Sequence, residues 1–61
     1  MEGQARFQKV YANLPLNLRN EIVLVLPDMG PITWNVAYIE ISNATEMGKK
    51  IIQKLIELKI I

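Results

Sequence analysis

Five consecutive apolar residues, Ile22-Val23-Leu24-Val25-Leu26, run straight into Pro27-Asp28-Met29-Gly30-Pro31. The first group is short and rich in β-branched side chains, the pattern of a strand covered on both faces. It predicts a strand over Glu21–Leu26. The second group stops that strand. Both prolines restrict φ, and Gly30 can take a positive φ, so a turn is expected. A strand carries a row of backbone donors and acceptors that must find partners. The fold therefore depends on where that partner comes from.

The next segment, Ile32–Ser42, decides it and is ambiguous. Ile, Thr, Trp, Val and Tyr favour a strand by propensity. As a strand, however, neither face is clean. Trp34, Val36, Tyr38 and Glu40 would share one side, and Thr33, Asn35, Ala37 and Ile39 the other. As a helix, Trp34, Ala37, Tyr38 and Ile41 gather on one side, and Thr33 is a good N-cap. The helical reading is preferred. It gives a small single α+β domain over residues 1–61, helix–strand–helix–helix, with the lone strand pairing across a dimer axis. The alternative is α-β-β-α with a central hairpin.

Two further helices flank this region. Phe7, Val10, Tyr11 and Leu14 fall at i, i+3, i+4 and i+7, which predicts a helix over Gln4–Asn13, ended by Pro15. A second is expected over Ala44–Leu58. There Met47, Ile51, Leu55 and Leu58 make one apolar row, and Ile52 with Ile56 widens it. Asn43 and Glu46 have capping-box spacing, with Thr45 as a rival cap. Glu46 and Lys50 stand at ion-pair spacing. The apolar arc is wider than one small core needs, leaving Ile52 and Ile56 to meet a partner.

A chain of 61 residues without Cys or His has no disulfide, no thiolate ligand and no imidazole to staple it. Its 51% apolar content exceeds what so small a globule can hide, and surplus apolar surface marks an interface. A homodimer or higher oligomer is expected, with Ile22, Leu24, Ile52, Ile56 and Trp34 as interface residues. Trp34 and Tyr38 at i, i+4 would suit an aromatic hot spot, although core packing is the favoured role. No cofactor, metal or small-molecule substrate is expected. The acids are spread singly, the glycines are isolated, and the residues of most nucleophilic and acid–base sites are missing, so the chain reads as non-enzymatic.

Nucleic acid is the other partner considered. Asn17, Arg19 and Glu21 alternate with Leu16, Leu18 and Ile22, so an extended segment would show one polar face. A two-stranded ribbon with such a face can enter the major groove. Lys49 and Lys50 lie near a helix N-terminus, where phosphate can bind. The nucleic-acid-binding candidates are thus Asn17, Arg19, Lys49 and Lys50. The order strand–helix–helix after Arg19 is similar to that of ribbon-helix-helix transcription regulators, which pair one strand per subunit. Here the strand is apolar throughout, the turn after it is long, and a helix precedes it. The net charge of +1 is small for a nucleic-acid binder. With no leader, no membrane-length apolar run and no Cys, a cytoplasmic protein is expected. The function expected is that of a small homo-oligomeric regulator able to bind DNA. The alternative is a protein-interaction module using the apolar face of the last helix.

Overall fold

The computed structural model describes all 61 residues. Helix α1 spans Gln4–Ala12, strand β1 Ile22–Leu26, strand β2 Gly30–Thr33, helix α2 Trp34–Ser42 and helix α3 Glu46–Glu57. A 3-10 turn at Leu16–Asn20 joins α1 to β1. The class is α+β, and the order is α-β-β-α-α.

The ambiguous segment divides at Thr33. Ile32 and Thr33 finish β2, and α2 begins at Trp34. Thr33 is at once the last strand residue and the helix N-cap: its Oγ1 accepts the Val36 N–H at 3.2 Å. Strand β1 therefore has a partner inside its own chain. The two strands pair antiparallel, Leu24 with Ile32, Val25 with Pro31 and Leu26 with Gly30. A helical Thr33–Ser42 is expected to leave the strand alone. The strand is not alone, because Gly30 and Pro31, expected as turn, and Ile32 and Thr33, at the start of the ambiguous segment, supply its partner. Met29 N–H closes the turn onto Leu26 O at 3.3 Å, with Pro27 at the position proline prefers. Gly30 follows at φ 81°.

Helix α2 is the central element. On one side α1 runs antiparallel to it. Gln4 Nε2 donates to Ile41 O at 2.9 Å near one end, and Tyr11 Oη donates to Asn35 Oδ1 at 2.6 Å near the other. Between them Phe7 stacks on Trp34 with ring centres 5.9 Å apart, and Tyr11 on Tyr38 at 4.3 Å. On another side α3 meets the end of α2 backbone to backbone. A Cβ on Gly48 would overlap the carbonyl of Glu40. The hairpin lays Leu24, Leu26 and Ile32 onto Phe7, Ala37, Ile41, Ile51, Ile52 and Leu55, and these nine side chains form the core.

The link from α2 to α3 is a Schellman cap. Ala44 N–H bonds Ile41 O at 3.1 Å, and Thr45 N–H bonds Glu40 O at 3.2 Å. The left-handed position, commonly glycine, is held by Ala44 at φ 52°. Thr45 then caps α3. Its Oγ1 accepts the Gly48 N–H at 2.9 Å and donates to Glu40 Oε1 at 2.7 Å. The rival cap thus prevails over Asn43, which instead closes α2. The expected Glu46–Lys50 pair is replaced by Glu46 with Lys49 at 3.4 Å and Lys50 with Asp28 at 3.6 Å. All of these groups are exposed, so neither pair contributes much.

Two substitutions test this account in urea denaturation. Ala44→Gly is expected to raise stability by about 1 kcal/mol, by removing the left-handed cost of a Cβ. Gly48→Ala is expected to lower it by about 3 kcal/mol or more, since the obstacle is backbone that cannot rotate away.

Candidate association surface

The hairpin has two edges, and the sequence treats them differently. Pro31 stands opposite Val25 and has no N–H to give it. In an antiparallel pair that position must then be of the non-hydrogen-bonded kind. The polar groups of Pro31 and Val25 therefore point away from each other. On the β2 side the outward donor is missing, which blunts that edge. On the β1 side the Val25 N–H and C=O both face outward. No other strand joins the sheet, and no backbone bond from a loop or cap reaches Val25. The β1 edge is open, with neither proline nor charge within the strand.

Apolar side chains are exposed in β1 and in the 3-10 turn that precedes it. Leu16 is 75% exposed, Ile22 57% and Val25 62%. Poor packing is not the reason. The accessible surface of 3,989 Å² is close to the roughly 4,000 Å² of a compact monomer of this mass. On α2, Val36 and Ile39 are exposed as well.

The expected interface residues divide three ways. Ile22 is exposed at the start of β1. Leu24 and Ile52 are 6% and 3% exposed. They belong to the chain's own core, so they offer a partner no side-chain surface. Trp34 and Ile56 are half-buried against that core. Part of the surplus expected on α3 is taken up by the start of α1, where a Cβ on Gly3 would meet the Ile52 and Ile56 side chains. Val25 was not anticipated. Its signal is Pro31, which blunts one edge only once its register opposite Val25 is known.

The nucleic-acid candidates do not converge. Asn17, Arg19 and Asn20 lie in a 3-10 turn, so the expected extended polar face does not form. Arg19 is held within the chain. Its guanidinium lies 4.3 Å from the Tyr11 ring centre, and Nη2 donates to Tyr11 O at 3.2 Å. That turn is tied to the start of α2, where Asn35 Nδ2 donates to Asn20 Oδ1 at 2.8 Å. Lys49 and Lys50 are exposed near the start of α3, which Thr45 ties to the other end of α2. The two groups are thus tied to opposite ends of α2, whose nine residues make a helix about 13 Å long.

Lys49, Ile52 and Ile56 do share a shallow cleft with Met1, Glu2 and Gln53, of about 230 Å³. That is below the roughly 300–1,000 Å³ of ordinary ligand pockets. No three His, Cys, Asp or Glu side chains gather in a metal-binding group. No helix is long and apolar enough to cross a membrane. No protein-family model, curated protein or solved structure matches this chain.

The division between core and surface has a direct measure. In urea denaturation Ile52→Ala is expected to cost about 2–5 kcal/mol. Ile39→Gln, on the exposed face of α2, is expected to change stability by less than about 0.5 kcal/mol.

Proposed function

We propose that this chain acts through association rather than chemistry, as a small, non-enzymatic, homo-oligomeric regulatory protein in the cytoplasm. The observation that carries this reading is the open apolar strand edge, with Ile22 and Val25 exposed in the strand itself, on a domain whose core is already closed. Exposed apolar surface beside an open strand edge serves contact with other protein. The contact surface in this reading is the hairpin rather than α3, whose Ile51, Ile52 and Leu55 are consumed in the core.

DNA binding has less support. It needs several cations on one face, and Arg19 is engaged by Tyr11 while Lys49 and Lys50 stand apart from it. A paired ribbon would also present Val25 and Pro31 outward, which lack the hydrogen-bonding groups that read base edges.

Light scattering over a concentration series tests the proposal. A mass above the 7.0 kDa of one chain is expected. A mass of 7.0 kDa at every concentration overturns homo-oligomerisation. A gel shift on mixed DNA fragments at low salt, where phosphate contacts are strongest, is expected to show no retardation.

A further inference from the structure

The geometry points to a second copy of this chain as the occupant of the β1 edge, the two β1 strands pairing antiparallel across a two-fold axis near Val25. This rests on the homo-oligomer reading and goes beyond it by naming the surface and the register.

Three features select a second copy over another peptide. The first is hydrogen bonding. The outward N–H and C=O of Val25 are one donor and one acceptor on a single residue. Two such residues related by a two-fold axis satisfy each other with a pair of bonds, as in any hydrogen-bonded antiparallel position. The second is register. Leu24-Val25-Leu26 reads the same in both directions. With Val25 on the axis, each Leu24 stands at the level of the second copy's Leu26. Both leucines stay buried in their own chain's core, and the four strands form one sheet, ordered β2-β1-β1-β2. The third is charge. Across the axis Glu21 comes opposite the second copy's Met29, and Ile22 opposite its Asp28, so no like charges meet.

Area agrees with the need for a flank beyond the strand. A stable interface takes about 800 Å² per partner, roughly a fifth of the 3,989 Å² this chain exposes. A five-residue edge alone falls short of that. Leu16 and Leu18, exposed in the 3-10 turn that leads into β1, and Ile22 at its start are the exposed apolar side chains next to the strand in sequence. The irregularity between Ile22 and Leu24 lies outside the three residues that make the central pairing.

The experiment uses the full chain. The wild type is expected at twice 7.0 kDa by light scattering. Val25→Pro deletes an N–H that the hairpin does not use, and is expected to give a folded monomer by circular dichroism. Val25→Lys keeps the N–H but sets two ammonium groups together on the axis, and is expected to be monomeric too. The chain has no native Cys, so Val25→Cys reports contact directly. Under mild oxidation it is expected to form a covalent dimer at least tenfold faster than Gln8→Cys, placed on exposed α1. A wild-type monomer overturns both the edge pairing and the homo-oligomer reading. A wild-type dimer that survives Val25→Lys, with equal crosslinking at positions 25 and 8, overturns the edge pairing alone. Should Val25→Pro fail to fold, the lysine and cysteine variants decide.

Discussion

The structure hangs on one close approach, the backbone of α3 against the end of α2 at Gly48. No side chain separates the two helices there. Three short-range devices hold the contact. The Schellman cap turns the chain at Ala44, Thr45 starts α3, and the Thr45 hydroxyl links to the Glu40 carboxylate. Because the helices meet so closely, Ala37 and Ile41 reach Ile51 and Leu55, and all four side chains are fully buried. A domain without disulfide or metal needs such density, since interior packing is its main source of stability.

A second consequence concerns α1. It reaches the core through one fully buried side chain, Phe7. Its other ties are aromatic stacking and hydrogen bonds along α2. Arg19 completes that arrangement by lying against Tyr11. A residue that looks free in the sequence is thus consumed in joining the 3-10 turn to α1. The cation's attraction to the ring face supplies the reason. Arginine's availability to a partner depends on nearby aromatic rings, and sequence spacing does not show which ring that will be.

Much of the fold was legible because it rests on local rules. The first and last helices follow from the spacing of Phe7, Val10 and Tyr11 and of Ile51, Ile52 and Leu55. The Thr33 cap and the Pro27 turn follow from side-chain chemistry. Strand β2 was legible only as the hairpin of the alternative, and its short span was not. Four residues, one of them Gly and one Pro, carry no period, and only the register against β1 makes them a strand. The candidate site suffered from the same gap. Ile52 reads as surplus because the spacing along α3 does not show which elements pack on it, such as Gly3 at the start of α1. Leu24 read as interface because the strand was taken to lie between two copies. Ile22 is exposed at the start of β1, a position that depends on where the strand begins rather than on its partner.

Pro31 has a bearing on stoichiometry. A strand pair with two open edges can recruit a neighbour on each side and propagate without limit, the route to fibres. Here one margin lacks its central donor, while the other keeps both groups of Val25. In the proposed pairing, growth would proceed from one margin only and would stop once that margin is filled. A single imino acid in a four-residue strand thus favours a finite assembly over an endless one.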